Sequence, residues 1–230
     1  MLVASQDSAA ASGEAVGAAQ PAAATVAQLV GQTLATLGVG HVFGVVGSGN
    51  FEVANALRQA GVPFTAARHE GGAATMADAY SRMSGQVGVV TTHQGCGLSN
   101  AVTGIGEAAK SRTPLIVLTA DTQGSAVRSN FKIDQDALAR SVGAVSERVH
   151  SPATAVADTI RAFRTARNDR RTVVLNLPLD VQAAPAPALD LAAATRPAAV
   201  ADAQPVRPAG ASVRRLAQLI KAAERPVFVA

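Results

Sequence analysis

The stretch Arg68-His69-Glu70-Gly71-Gly72-Ala73-Ala74 decides the fold, because it places a carboxylate between a short apolar strand and a helix. The strand is predicted over 63–67. The helix is predicted from residues at the i, i+3, i+4 and i+7 positions of one face: Ala73, Met76, Ala77 and Tyr80. Glu70 therefore falls at the carboxyl end of a strand, where ligands bind in open α/β sheets, and in the first turn of a helix, which favours negative charge. Taken alone, the pattern also fits a carboxylate that only caps the helix.

Apolar strands alternate with helices along the chain, and this alternation predicts the fold class. Further helices are predicted over 26–37, 51–59 and 153–167, and further strands over 41–46, 87–92, 114–117 and 172–177. Residues 123–135 show neither the helical nor the strand periodicity of apolar residues and are predicted to form a loop. Strands joined through helices pair in parallel and carry helices on both faces. The fold class is therefore α/β, a three-layer α/β/α domain with a mainly parallel sheet.

Shifts in composition predict the domain boundaries. Residues 1–24 form an Ala-rich segment with few bulky apolar side chains, which predicts a disordered tail. Residues 25–182 form the α/β domain. Residues 183–211 are rich in Ala and Pro, which predicts a semi-extended linker. Residues 212–230 read as a helix followed by the start of a buried strand, so we expect the truncated opening of a central domain.

Composition limits the classes of function. The 230 residues are 48% hydrophobic with a net charge of +4, and aromatic residues make up 3%, so basic side chains are not interleaved with aromatic ones as in nucleic-acid binding. No apolar run reaches the roughly 18 residues of a membrane span. The single cysteine, Cys96, excludes an internal disulfide, and no His, Cys or carboxylate spacing predicts a metal site in this segment. We expect a cytoplasmic protein that binds neither nucleic acid nor membrane.

Two glycine turns follow predicted strands, and the chemistry is expected there. Gly47-Ser48-Gly49-Asn50 follows the first strand, and Gly95-Cys96-Gly97-Leu98-Ser99-Asn100 follows the strand that ends at Thr92. Residues without a Cβ permit a ligand or a neighbouring backbone to approach closely. His93 and Gln94 directly precede the second turn, where side chains face the ligand crevice of such sheets.

The order of these motifs resembles the pyrimidine-binding domain of thiamine-diphosphate enzymes, most closely the acetolactate synthase branch. In that family a His-Glu pair precedes a Gly-Ala helix, and a Gly-Pro-Gly-x-x-Asn turn follows. The likeness runs from about residue 25 to 182. It implies an N-terminal domain of a longer 2-oxo-acid carboligase or decarboxylase, a lyase or transferase, whose cofactors are thiamine diphosphate and Mg²⁺. A Gly-Asp-Gly motif that holds Mg²⁺ in the family is absent here, so the metal ligands are expected outside this segment.

The resemblance also implies roles for individual residues. Glu70 would be catalytic, by hydrogen bonding a ring nitrogen of the aminopyrimidine and promoting loss of the thiazolium proton. The implied cofactor-binding residues are Gly47, Gly49, Glu70, Gly95, Cys96, Gly97 and Asn100. The implied substrate contacts are His93, Gln94 and Phe131.

The resemblance implies assembly as well. Family members are homodimers or homotetramers that associate through this domain, and the diphosphate-binding domain lies elsewhere in the chain or in a separate subunit. The isolated 230-residue chain is therefore expected to be inactive. Apolar faces of the helices beginning at Glu70 and Leu98 are the expected self-association surface, with four candidate contacts: Ala73, Ala77, Leu98 and Ala101.

Departures from the family pattern predict a different substrate. Cys96 replaces the usual proline of the second turn, and Val46 replaces another before the first. Phe131-Lys132-Ile133-Asp134 lacks the family's glutamine, and that register puts Ala144 where acetolactate synthases carry a lysine. We therefore expect another 2-oxo acid, or an activated aldehyde, to be preferred over self-condensation of pyruvate.

Two alternatives remain open at this point. Gly47-Ser48-Gly49 with Glu70 about 20 residues on also fits a Rossmann-type nucleotide-binding domain, although Glu52 stands where the third glycine belongs. The chain also fits a non-catalytic dimerising subunit of the same fold.

Overall fold

The computed structural model describes residues 24–200 and 207–228. Residues 1–23, most of the predicted tail, lie outside this part. The elements follow in chain order: α1 Val26–Thr36, β1 His41–Gly44, α2 Phe51–Gln59, β2 Phe64–Ala66, α3 Glu70–Ser84, β3 Gly88–Thr92, α4 Cys96–Asn100, α5 Val102–Lys110, β4 Leu115–Asp121, α6 Gln135–Ser141, β5 Val145–Arg148, α7 Ala155–Asn168, β6 Thr172–Pro178, α8 Leu179–Ala183, α9 Leu191–Val200 and α10 Gly210–Ala222.

The six strands form one sheet in the order β2-β1-β3-β4-β6-β5, and every neighbouring pair is parallel. All residues of β3, β4 and β6 are buried, as expected for strands covered on both faces. Successive residues point to opposite faces: Val89 and Ile116 pack with α1 and α7, whereas Val90 and Val117 pack with α3 and α5. The predicted three-layer α/β/α fold is confirmed.

Small residues let α3 and α5 pack closely on the second face. A methyl group at Gly104 would lie 2.6 Å from the Cβ of Ala74 and 3.1 Å from the backbone nitrogen of Thr75. The two helices therefore meet almost backbone to backbone. Since α3 begins at Glu70 and α5 follows Asn100, this contact sets the spacing between those two residues.

Several predictions about local structure are wrong. Residues 145–148 form the edge strand β5, which was not predicted, and residues 191–200 of the predicted linker form helix α9. Residues 225–228 do not form a strand, and Val227 and Phe228 are exposed. The four proposed interface residues Ala73, Ala77, Leu98 and Ala101 are at most 1% exposed, because they belong to the core beneath α3 and α5.

Helix α10 forms where the pattern predicted a helix, and its side chains are exposed. None of the helices described has both the length and the apolar character needed to cross a bilayer. The boundaries proposed for the domains remain predictions.

Candidate functional site

Glu70 and Asn100 form the centre of the candidate site. Glu70 is the first residue of α3 and is 9% exposed. The Asn100 side-chain amide donates a hydrogen bond of 3.0 Å to Glu70 Oε2. The resemblance gave Asn100 as a cofactor-binding residue, and in the structure its side chain bonds the Glu70 carboxylate itself. This bond holds Glu70 in one orientation.

His69 fixes the start of helix α3. Its backbone is extended and its Nδ1 accepts a hydrogen bond from the backbone N–H of Gly71 at 3.1 Å, so the histidine is the N-cap. A side chain at this position satisfies one of the N–H groups that a helix leaves unpaired at its first turn. The cap and strand β2 together place Glu70 at the sheet's carboxyl edge.

The second glycine turn packs against Glu70. Gly95 has φ +64°, a backbone conformation that residues other than glycine rarely adopt. A Cβ there would also overlap the backbone of Phe131. A Cβ on Gly97 would lie 3.3 Å from Glu70 Oε1 and 3.1 Å from the Cβ of His93. Cys96 lies between the two glycines and is exposed. The turn therefore packs closely against Oε1, the second carboxylate oxygen of Glu70.

The first glycine turn is held by two buried carboxamides. Asn50 Oδ1 accepts from the Gly47 N–H at 2.8 Å, and Asn50 Nδ2 donates to the Val45 carbonyl and to Thr91 Oγ1, both at 3.1 Å. Gln182 Nε2 donates to the Gly49 carbonyl at 2.9 Å across 133 residues of sequence. Neither amide was predicted from sequence to hold this turn.

His93, Gln94 and the two glycine turns are brought together. A Cβ on Gly47 would lie 2.8 Å from Cδ2 of His93, and one on Gly49 would overlap Gln94. The His93 ring meets the Phe131 ring edge-on, with centroids 4.8 Å apart. Gln94 is 4% exposed, and its Oε1 accepts no hydrogen bond from any residue in the described part of the chain. Every sequence-predicted site residue thus lies at this end of the sheet.

Gln135, the first residue of α6, is a site residue that sequence reasoning missed. Its Oε1 accepts from the Gly95 N–H at 2.8 Å, and its Nε2 donates to the Ala120 carbonyl at 3.0 Å and to Asn176 Oδ1 at 2.8 Å. The loop over 122–134, confirmed as irregular, carries the chain to this position. No pattern within the sequence pairs residue 135 with residue 95.

A charged cluster lies beside Gln135, in a cleft of about 470 Å³. Arg148 Nη1 lies 2.6 Å from Asp121 Oδ2, and Arg148 Nη2 lies 3.3 Å from Asp136 Oδ2. Burial opposes ionisation of Asp136, but the Ser146 hydroxyl and Arg148 outweigh it and lower its pKa. Burial likewise disfavours the charged Arg148, yet Asp121 and Asp136 raise its pKa. The cluster braces β4, β5 and α6 around the site.

No group of three or more His, Cys, Asp or Glu side chains with the arrangement of a metal site occurs among the residues described. The expectation that Mg²⁺ ligands lie outside this segment remains a prediction.

A held carboxylate, two glycine turns and a cleft lie together at the carboxyl edge of a parallel sheet, which is where ligands bind in open α/β folds. Residues 24–141, about half of the chain, match the family described as thiamine pyrophosphate enzyme, N-terminal TPP binding domain, and the chain belongs to that family. Membership of this family favours the prediction of a thiamine-binding domain over the alternative of a Rossmann-type nucleotide-binding domain.

Similar proteins include a decarboxylase, an acetyltransferase and a synthase. A probable 2-ketoarginine decarboxylase of Pseudomonas aeruginosa is 32% identical over 213 residues, which cover 90% of this chain and 37% of the relative. A sulfoacetaldehyde acetyltransferase of Castellaniella defragrans is 33% identical over 65% of this chain and 25% of its own length. An acetolactate synthase large subunit of Lactococcus lactis is 44% identical over 40% of this chain and 16% of its own length. The chain therefore spans about a third or less of these relatives.

Proposed function

We propose that this domain binds the aminopyrimidine half of thiamine diphosphate, and that Glu70 activates the cofactor in a 2-oxo-acid carboligase or decarboxylase. The proposal rests on one observation, the burial and the contacts of the Glu70 carboxylate. It is nearly buried, Asn100 occupies one oxygen, and the other faces the Gly97 turn. A carboxylate in such a dry pocket is suited to share a proton with a ligand nitrogen.

The surrounding residues fit a flat, polar heterocycle. Gly47 and Gly97 carry no Cβ, so the side chains of His93 and Glu70 can lie directly against the two glycine turns beside the pocket. Gln94 supplies a buried oxygen that none of the described residues bonds, and it suits an N–H donor if the Gly49 turn shifts slightly. We assign cofactor binding to Gly47, Gly49, Gly95, Cys96 and Gly97 on this basis.

Each polar residue has a separate task. Bound thiamine diphosphate supplies a stabilised carbanion, which is chemistry that side chains cannot provide. Glu70 holds or releases a proton at Oε1, while Asn100 keeps Oε2 occupied. His93 Nδ1 lies 2.9 Å from the Gln94 carbonyl, which only accepts, so Nδ1 donates to it and Nε2 is the ring nitrogen left for substrate. Phe131 fixes the His93 ring from its edge.

The substrate is proposed to be a 2-oxo acid. A relative that covers 90% of this chain is a probable 2-ketoarginine decarboxylase, which supports the sequence prediction of a 2-oxo acid other than pyruvate. We further propose that the domain works as a homodimer or homotetramer. A diphosphate-binding domain, in the same longer chain or in a partner subunit, would bring the Mg²⁺ ligands.

Proton exchange at the thiazolium carbon, followed by NMR with the domain joined to a diphosphate-binding domain, tests the proposal. Glu70→Gln is expected to slow exchange by about 10²- to 10⁴-fold, the usual share of a general acid–base group, without unfolding the domain. Glu52→Gln, an exposed first-turn acid of α2, is the matched control and should exchange as wild type. Equal rates in wild type and Glu70→Gln would refute the assignment and favour a non-catalytic subunit.

A further inference from the structure

The N–H of Gly95, in the second glycine turn, is bonded by a side chain of α6 and not by a residue of the turn itself. Helix α4 begins at Cys96 without a side-chain cap, and Gly95 before it has φ +64° and ψ −103°. The inward-pointing N–H of Gly95 has Gln135 Oε1 as its acceptor. A buried N–H without a partner would favour another turn conformation.

The Gln135 amide can point in only one direction. Asp136 Oδ1 and the Glu147 carbonyl only accept, so Asn176 must direct its Nδ2 towards them and its Oδ1 towards Gln135. Gln135 Nε2 then donates to Asn176 Oδ1 and to the Ala120 carbonyl, and Oε1 faces Gly95. A flipped amide would place two donors, or two acceptors, against each other. The orientation is thus fixed by groups outside the turn.

We propose that Gln135 is a positioning residue that sets the Gly95-Cys96-Gly97 turn and, through Gly97, the pocket beside Glu70 Oε1. Gln135 itself is 2% exposed, so it acts on a ligand through the turn rather than by contact. This inference rests on the proposed function, because it concerns the wall of the same cofactor site. It predicts that residue 135 affects ligand affinity more than its effect on stability explains.

Two substitutions separate the parts of this role. Gln135→Leu removes both the acceptor and the donors. Gln135→Glu keeps the acceptor for Gly95, but its carboxylate oxygen faces two other acceptors, Ala120 O and Asn176 Oδ1. Protonation of the new carboxyl group restores one donor, so the Glu variant should recover as pH falls. Thr33→Val is the control, because it removes a buried hydroxyl from α1, remote in the fold from the turn.

The test is an NMR titration with thiamine diphosphate and Mg²⁺ of the domain joined to a diphosphate-binding domain, together with amide exchange at Gly95. We expect Gln135→Leu to speed Gly95 exchange and to weaken affinity about tenfold, which corresponds to about 1.4 kcal/mol and lies within the range for an unsatisfied buried donor. The affinity of Gln135→Glu for thiamine diphosphate, divided by the wild-type affinity at the same pH, should rise as the pH is lowered from 7 to 5. Other charged groups near residue 135 are Asp121, Lys132, Asp134, Asp136 and Arg148, and comparing each variant with wild type at the same pH cancels their titration.

Unchanged affinity in Gln135→Leu, or a loss matched by Thr33→Val at equal stability, would overturn the positioning role. A ratio for Gln135→Glu that does not change with pH would also overturn it. Wild-type protein that does not respond to thiamine diphosphate, while Gly95 exchange still depends on residue 135, would overturn the proposed function and leave Gln135 as a structural residue only.

Discussion

Replacing Gly104 by alanine tests the packing that sets the distance between Glu70 and Asn100. The new methyl group would lie 2.6 Å from Ala74 Cβ, where ordinary carbon contacts are about 3.5–4.0 Å. Overpacking of this kind costs about 1–3 kcal/mol, and the gain in helix propensity returns about 0.5–1 kcal/mol. We expect a net destabilisation of up to about 2.5 kcal/mol.

Gly106 provides the matched control two residues further along α5. A methyl group there would lie 3.6 Å from Val142 Cβ, an ordinary contact, so Gly106→Ala keeps the propensity gain without the overlap. We expect it to stabilise the protein by about 0.5–1 kcal/mol. Urea unfolding at pH 7, followed by circular dichroism, measures both variants against wild type.

Because both variants gain the same helix propensity, they should differ by the cost of the overlap alone, about 1–3 kcal/mol in the free energy of unfolding. In Gly104→Ala, α5 can relieve the overlap by moving away from α3, which would also lengthen the Asn100–Glu70 hydrogen bond. If Gly104→Ala is as stable as Gly106→Ala, α3 and α5 do not pack as closely as described. The conclusion that this contact sets the spacing between Glu70 and Asn100 would then be wrong.

Three further changes test other parts of the site. Cys96→Pro should stabilise the chain by about 0.4–1 kcal/mol in urea unfolding, because Cys96 is the first residue of α4, where proline is favoured, and the family carries proline there. Asn100→Asp should weaken thiamine diphosphate affinity about tenfold by calorimetry, because it replaces the donor to Glu70 with a second carboxylate. Asp136→Asn should lower stability by about 0.5–1 kcal/mol at pH 7, as for a partly exposed ion pair, and the difference should vanish as pH falls well below the ordinary value of 3.8. The sign follows from the lowered pKa of Asp136. The ionised carboxylate stabilises the fold above pH 3.8, and this stabilisation is lost as pH falls through the lower folded-state pKa. If Asp136→Asn remained less stable than wild type in acid, this assignment would be contradicted.

Local patterns were sufficient for most of the fold. The α2 helix spans the predicted residues 51–59, and β6 continues one residue past the predicted 172–177. Strand β5 was missed because Val145–Arg148 is half-buried along its whole length and its last three residues are polar, so its strong signal is the pairing with β6. Helix α9 was missed because a count of Ala and Pro does not reveal that Leu191 packs on the core.

The site was predictable where the chemistry lies within one short motif. Glu70 and both glycine turns belong to such motifs, and their positions at strand ends follow from the alternation of elements. The supporting amides were not predictable, because Asn50, Gln135 and Gln182 act on residues 3, 40 and 133 positions away, and a carboxamide in sequence carries no indication of its partner. Asn100 was selected from its motif, but its actual partner is set by the packing of two helices.

The order of strands in the sheet has a consequence for how the protein is made. Strand β5 precedes β6 in the chain but pairs with it at the sheet edge, and β6 lies between β4 and β5. Until residues 172–178 leave the ribosome, the fully buried strand β4 has an open edge, and such edges promote association between growing chains. The same late segment leads directly to Gln182, which closes the first glycine turn. A chain interrupted before this point would therefore lack strand β6 between β4 and β5 and the amide that holds the first glycine turn, so this domain can complete its folding only after residue 182 has been made.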